Sequence, residues 1–291
     1  MSKIVMVGSG IVGAATGKHF ASLGHAVTFS DISAETLQRL SSQGYSTRSS
    51  LELGKQDADA YIFAISTPTI DGQIKLDYLM EAMTHFAKDT LSKQDTYCIV
   101  VVRSTVIPGT VDEKVTPLLE QLSGKKVGKD FGVCMNPEFL REVSSEKDVA
   151  HPWIIVAGAN DERSHALLKD IYGRVDCPYI QLAVKEAEME KYLHNIFDAC
   201  KISFFNEMRR VCDFVGLGAD RLFNVVKVSS QAFWDPNYGL KDMGAWGGSC
   251  FPKDTQAFLH WTHDELKLPM PVLMGEIEEN EEMKKRPASH S

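Results

Sequence analysis

An α/β fold is predicted: a Rossmann-type, doubly wound parallel sheet over residues 1–183, followed by an all-helical domain over residues 184–291 built on one long helix. Three observations carry that expectation. Short β-branched runs alternate with helical stretches through the first half, the pattern that buries a parallel sheet between two layers of helices. A glycine-rich turn, Gly8-Ser9-Gly10-Ile11-Val12-Gly13, joins the first of these runs to the first helix. After residue 183 the β runs stop and apolar residues recur at helical spacing.

The expected strands, in order, are Lys3–Val7, Ala26–Ser30, Ala60–Ser66, Tyr97–Arg103, Phe131–Met135 and Trp153–Ala157. A small-residue helix, Gly13–Leu23, separates the first two and stops at Gly24, a residue favoured just past a helix end. The character changes beyond Cys177-Pro178-Tyr179-Ile180. From Val184 to Val215, Tyr192, Ile196, Cys200, Phe204, Met208, Val211 and Val215 keep a helical rhythm, and Leu193, Phe197 and Phe205 widen the stripe. At a rise of ~1.5 Å per residue this helix approaches about 50 Å. That exceeds a single small domain, so the stripe is expected to pack against a second copy in a homodimer. Gly216-Leu217-Gly218 ends it. Shorter helices are expected at Arg221–Val228 and Thr255–His263, flanking an irregular stretch, Trp234–Gly248; Glu276–Arg286 reads as a charged helical end and Pro287–Ser291 as a frayed tail.

Composition bounds the function. The 291 residues are 44% apolar and 24% charged, ordinary for globular domains. No apolar run approaches the ~18–20 residues of a membrane span. The 31 basic and 39 acidic residues leave a formal charge of −8, which argues against broad capture of nucleic acid or anionic lipid while allowing a local site for a small anion. The six cysteines (Cys98, Cys134, Cys177, Cys200, Cys212, Cys250) show neither C-x-x-C nor zinc spacing. Reduced thiols, no metal and a cytoplasmic location are therefore expected. Met1-Ser2-Lys3 runs straight into the first strand without the apolar core of a signal peptide.

The first chemical motif is the G-x-G-x-x-G turn. Gly8 allows the tight turn, Gly10 lets a pyrophosphate approach, Gly13 permits close helix packing, and Ile11 and Val12 open the helix whose N-terminus attracts phosphate. Asp31 follows Gly13 by 18 residues and ends the second strand, where a carboxylate can bind ribose hydroxyls. It would repel a 2′-phosphate, and Ile32-Ser33-Ala34 offers no arginine to offset that charge, so NAD is preferred to NADP. The plainer alternative is a glycine-rich turn beside a helix-capping aspartate. The second motif is Gly247-Gly248-Ser249-Cys250-Phe251-Pro252-Lys253-Asp254. A cysteine behind two glycines, ahead of a proline placed to start a helix and beside a lysine, occupies a position that can lower a thiol pKa. Asp254 is expected nearby, able to hold water or accept a proton. The plainer alternative is a small buried cysteine at an ordinary helix start.

Gly247–Asp254 resembles the active-site cysteine loop of the UDP-glucose and GDP-mannose dehydrogenase family. The similarity extends along nearly the whole chain through Gly8–Gly13, Ser66-Thr67-Pro68-Thr69, Arg103-Ser104-Thr105-Val106 with Gly109-Thr110, Asn136-Pro137-Glu138-Phe139-Leu140-Arg141-Glu142, and Ala187-Glu188 followed by Lys191 and Asn195. The resemblance implies an NAD-dependent oxidation of a nucleotide sugar's 6-hydroxymethyl group to a carboxylate, with UDP-glucose to UDP-glucuronate as the expected case. Cys250 would be the nucleophile, carrying a thiohemiacetal and then a thioester. Lys191 and Asn195, four apart on the long helix, would be oxyanion donors; the alternative for Lys191 is a surface ion pair with Glu188. Asp254 and Thr105 match water-handling positions, Glu138 the carboxylate assisting thioester hydrolysis, and Glu142 a residue near the nicotinamide. Ser66, Thr67, Pro68 and Thr105 fall in the cofactor-binding set. Phe139, Leu140, Lys191, Asn195, Lys241 and Gly247 fall in the substrate-binding set. Helix capping for Asp254, a turn hydroxyl for Thr105 and solvated charge for the glutamates are the plainer alternatives.

Four departures bear on substrate more than chemistry. Only ten residues follow Glu278-Glu279-Asn280-Glu281, which resembles the family's connection into a UDP-binding domain. Trp246 and Arg103 stand where phenylalanine and lysine are common, and Trp234–Gly239 lacks the usual arginine-isoleucine-glycine element. The alternatives carried forward are an NAD-binding subunit or inactive remnant that needs a separate UDP-binding partner, and a 3-hydroxy-acid dehydrogenase. Cys250 with Asp254 argues against the last, because that oxidation has no thioester step.

Overall fold

The computed structural model describes residues 1–140, 145–240 and 244–285. The chain divides into two compact units, Met1–His194 and Asn195–Ser291. The expected tail Pro287–Ser291, with Arg286, lies outside the described residues.

In the first unit the strands are β1 (Lys3–Val7), β2 (Ala26–Asp31), β3 (Ser46–Ser49), β4 (Ala60–Phe63), the small hairpin β5 (Thr69–Ile70) and β6 (Gln73–Ile74), β7 (Cys98–Val102), β8 (Phe131–Met135), β9 (Ile155–Ala159) and β10 (Tyr179–Leu182). The helices between them are α1 (Ile11–Ser22), α2 (Ala34–Ser42), α3 (Asp77–Asp89), α4 (Thr116–Ser123), α5 (Ser145–Ala150) and α6 (Glu162–Tyr172). Eight strands form one sheet in the order β10-β9-β8-β7-β4-β1-β2-β3. Successive side chains of its central strands enter opposite layers, as a two-residue period requires. Val5, Val7, Tyr61, Phe63, Val100 and Val102 join one core, while Ile4, Met6, Ala60, Ile62, Ile99 and Val101 join the other. Both faces are thus covered, which is why these strands read as unbroken apolar runs.

The sheet differs from the expected parallel one at one seam: β9 runs antiparallel to β8, pairing Cys134 with Ala159 and Met135 with Gly158. Two further strands had no strong apolar signature. β3 is the polar edge sequence Ser-Thr-Arg-Ser, and β10, paired in parallel with β9, falls where the sequence reading placed only a change of character. The third expected strand stops at Phe63, so Ser66 lies in the loop beyond it, and the sixth begins at Ile155.

The long helix α7 spans Val184–Phe214. Its first turns belong with the sheet: Val184 and Ala187 join the core, and the buried carboxylate of Glu188 accepts N–H groups from Gly109 and Val111. Within the second unit, α7 is followed by α8 (Ala219–Ser229), α9 (Gln231–Trp234), α10 (Phe251–Leu259) with a wider-turned extension His260–Glu265, and α11 (Pro271–Lys285). Val211, Met270 and Leu273 centre a small core. Buried Glu207 accepts the N–H groups of Val272 and Leu273, capping the start of α11. Large apolar side chains stay exposed along α7 and α8, among them Leu193, Ile196, Phe197, Ile202 and Val228. Among the described residues no helix is long and apolar enough to cross a membrane.

Candidate active site

The dinucleotide turn sits where β1 meets α1. Gly8 has φ +84°, and a Cβ there would fall 2.6 Å from the Ala64 carbonyl oxygen; one on Gly13 would fall 1.9 Å from the Gly8 oxygen. Both positions are closed to side chains by backbone. A Cβ on Gly10 would meet nothing within 4 Å, so that glycine faces open space. Gly10 also caps α1 without any side-chain hydrogen bond, leaving the helix's first N–H groups for a ligand. Asp31, at the end of β2, accepts from Ser9 N at 2.6 Å and Ser33 N at 2.9 Å. It therefore fixes the turn as well as presenting a carboxylate. Gly8, Gly10, Asp31 and Ser66 border a cavity of about 550 Å³ that Ile32, Leu51 and Tyr78 continue as apolar wall. A glycine cradle, uncapped helix start, carboxylate and apolar slot together fit a dinucleotide. Ile11 and Val12 form the first turn of α1.

The loop after β4 is fastened to the loop after β7. Ser104 Oγ donates to Ile65 O at 2.6 Å and accepts from Ile65 N at 2.9 Å, while Thr67 Oγ1 donates to Thr105 O at 2.7 Å. Thr67 and Thr105 are thereby joined, and Ser66, one residue before Thr67, lines the cavity. Beyond β8, Asn136 is buried and donates to Val156 O at 2.7 Å. Two residues on, Glu138 meets Lys191 of α7: the ammonium donates to the Glu138 carbonyl and lies 3.3 Å from Oε1, with side-chain exposures of 7% for Lys191 and 17% for Glu138. Glu138 Oε2 accepts from Leu140 N at 2.6 Å, and the Lys191 ammonium stands 5.2 Å over the Phe139 ring. Glu138, Phe139, Leu140 and Lys191 are thus one cluster. The alternative Glu188–Lys191 surface pair is not what forms. Glu188 is buried on the Gly109 and Val111 amides, and burial, opposed by those two N–H groups, pushes its carboxyl above the ordinary value.

The cysteine loop lies in the second unit. Gly248 has φ +77°, the left-handed conformation that a side chain disfavours, and it turns the chain into Cys250 at the start of α10. Cys250 is exposed, and its carbonyl accepts Asp254 N at 2.8 Å in the first helical turn, with Pro252 inside that turn. Lys253, the lysine of this motif, forms an ion pair with Asp254. Trp246 and Phe251 meet edge to face across the turn, and Asn280 of α11 donates to Trp246 O at 3.0 Å. Asn195 is exposed on α7, one turn after Lys191, and Gly247 is exposed in the loop. The site residues therefore fall in two sets, with Thr105, Glu138, Phe139, Leu140 and Lys191 in the first unit and Asn195, Gly247, Cys250 and Asp254 in the second. Glu142 and Lys241 lie outside the described residues. Among the described residues no cluster of His, Cys, Asp or Glu is arranged to hold a metal, and all six cysteines are free.

Sequence reasoning missed Asn280 and Glu207 as supports of this loop and of the helix behind it. Asn280 is 2% exposed within a run of glutamates, and a lone amide in a charged stretch was the available signal.

Comparison with known proteins gives a consistent result. Residues 37–176 match the NAD binding domain of the UDP-glucose/GDP-mannose dehydrogenase family, and residues 185–282 match that family's central domain. The chain is 34% identical to the GDP-mannose 6-dehydrogenase of Azotobacter vinelandii over 283 residues, covering 90% of this chain and 64% of that one. It is 33% identical to the UDP-glucose 6-dehydrogenase AglM of Haloferax volcanii, covering 88% of this chain and 64% of that one. Among solved structures, a ternary complex of GDP-mannose dehydrogenase from Pseudomonas aeruginosa superimposes with a TM-score of 0.88 at 31% identity, over 97% of this chain and 69% of that one. The chain thus spans about two thirds of the length of the relatives it matches.

Proposed function

The chain belongs to the UDP-glucose/GDP-mannose dehydrogenase family, and from that premise we propose that it oxidises the 6-hydroxymethyl group of a nucleotide sugar to a carboxylate, with Cys250 as the nucleophile. The observation that carries this reading is the left-handed Gly248 turn, which puts an exposed thiol at the start of α10 in a chain that also has a dinucleotide cradle. NAD, when bound, supplies the hydride acceptor for both oxidations.

In the first step the alcohol loses a hydride and a proton to give the aldehyde. Cys250 Sγ adds to the aldehyde carbon, forming a C–S bond, and the former carbonyl oxygen takes a proton. Loss of a second hydride and that proton leaves a thioester. Water then adds, the C–S bond breaks, and the thiol and carboxylate are released. The sum is one alcohol, two NAD⁺ and one water giving one carboxylate, two NADH and three protons. Lys191 and Asn195 are the proposed donors to oxygen as it gains negative charge. Thr105 and Asp254 hold water, and Glu138 assists its attack; the family resemblance gives Glu142 a role beside the nicotinamide. Phe139, Leu140 and Gly247 contact the sugar nucleotide, and the family resemblance gives Lys241 the same role. Covalent attachment retains the aldehyde between oxidations, the reason for a cysteine here.

UDP-glucose and GDP-mannose are the substrates to set against each other: the first is the sequence-based expectation, the second gives the Azotobacter and Pseudomonas relatives their names. The exposed apolar residues of α7 support a homodimer through that helix. The share of the relatives' length that the chain spans favours one further reading, in which a separate nucleotide-binding chain completes the substrate site. Purified protein is to be incubated with NAD and each sugar nucleotide while NADH and acid are counted. Two NADH per acid, and no acid from Cys250→Ala, are expected. NAD binding without turnover on any sugar nucleotide refutes the first reading and leaves the second, which then requires activity to return on adding the partner chain.

A further inference from the structure

We propose that a cavity between α1 and the residue following β7 binds a small monovalent anion, a halide such as chloride, on Arg103 and Thr16. The cavity offers about 30 Å³, lined among others by Thr16, His19, Arg103, Asn136 and Tyr172. That is room for one water or one ion of similar size. Arg103 is 7% exposed. Its Nη1 donates to Asn136 Oδ1 at 2.6 Å, to Asn136 O at 3.4 Å and to Tyr172 Oη at 3.1 Å, all of them neutral acceptors. Its Nε is buried without a partner, and so is Thr16 Oγ1, on a residue 1% exposed. Two orphaned groups from separate elements therefore line the same small space, and each can donate to one guest.

The guest's charge follows from the guanidinium. Arginine stays protonated, so its burial calls for an opposing charge, whereas a lysine or histidine would neutralise itself. Of the carboxylates among the described lining residues, Glu138 is committed to Lys191 and the Leu140 amide, and Asp148 has a partner already. Among the described residues neither forms an ion pair with Arg103. His19, one turn after Thr16, is held below its ordinary 6.5 by burial first and then by the positive charges of Arg103 and His151. Water would leave that positive field in place; an anion offsets it. The bound ion links α1, the helix of the dinucleotide turn, to Asn136, which begins the segment carrying Glu138. This inference does not depend on the dehydrogenase reading.

The test compares thermal unfolding of the full chain in sodium gluconate, chloride and bromide at constant ionic strength, and adds diffraction from bromide-soaked crystals at the bromine edge. Expected are a saturable halide-dependent rise in the unfolding midpoint, its loss in Thr16→Val and Arg103→Met, an upward shift of the His19 titration by NMR when halide is added, and an anomalous peak within hydrogen-bond distance of Arg103 Nε. Thr16→Val is near-isosteric and keeps the test usable if Arg103→Met fails to fold. A midpoint indifferent to halide, a halide effect unchanged in Thr16→Val, or density at the site without an anomalous signal overturns the proposal, the last by assigning the space to water.

Discussion

Replacing Lys191 by methionine removes an ammonium while keeping a stem that packs against Phe139. The Lys191 Nζ to Glu138 Oε1 separation is 3.3 Å, and the side chains are 7% and 17% exposed. At an effective dielectric of ~20, unit charges at that distance attract by about 5 kcal/mol, most of it offset by desolvation. Deleting one partner leaves the other charge buried, which costs ~3–5 kcal/mol for fully buried pairs. Glu138 retains the Leu140 N–H and some solvent, so Lys191→Met is expected to destabilise the first unit by about 2–3 kcal/mol. Glu138→Gln is expected to cost a similar amount, and the double variant less than the sum, with a coupling of ~1–2 kcal/mol. Urea unfolding of the four proteins, followed by amide circular dichroism, measures each term. Single-variant effects that add to within ~0.5 kcal/mol in the double variant would mean the two charges do not interact, and the cluster as described would be wrong. In the proposed reaction Lys191→Met also lowers kcat by ~10²–10³, the usual loss for one oxyanion donor.

Gly10→Ala and Gly13→Ala should separate ligand approach from packing. The first leaves the unfolding midpoint unchanged but weakens NAD binding at least about tenfold, read by NADH fluorescence titration; the second, meeting the Gly8 oxygen at 1.9 Å, lowers stability by ~1–3 kcal/mol in the absence of any ligand. Asp31→Asn is expected to weaken NAD binding by about ten- to a hundredfold, the worth of a charged hydrogen bond, and unchanged affinity would remove Asp31 from the ribose. Glu188 has a folded pKa above its ordinary 4.5, so its contribution is fully present below 4.5 and is lost as pH rises through the folded value. The difference in urea midpoint between the wild type and Glu188→Gln, measured across that range, should therefore change with pH as this component is lost on going up in pH.

Much of the fold was legible because its signals are local. The apolar runs of β1, β4, β7 and β8 announce a sheet buried on both faces, and the spacing of Gly8, Gly10 and Gly13 states its own backbone chemistry. β3 was not legible, since Ser-Thr-Arg-Ser at a sheet edge buries too little to leave an apolar signature. The reversal of β9 was hidden because direction is set by the path of the chain between strands, not by the residues within one. The candidate site divides in the same way. Cys250 and Gly248 are neighbours in sequence and could be read together. Glu138 with Lys191, and Glu188 with the Gly109 and Val111 amides, join positions more than fifty residues apart. Helical spacing offered Glu188 as a partner for Lys191, and tertiary packing chose otherwise.

The reversed strand has a topological consequence. A parallel return after β8 would carry the chain under the sheet and back, whereas β9 re-enters from the same rim that β8 leaves. Residues 136–154 thus start and finish side by side, and one amide, Asn136 to Val156, staples the departure to the return. The turn that carries Glu138 onto Lys191 is therefore anchored at one rim of the sheet at both its ends, so a change in the pairing of β8 with β9 would also displace that carboxylate.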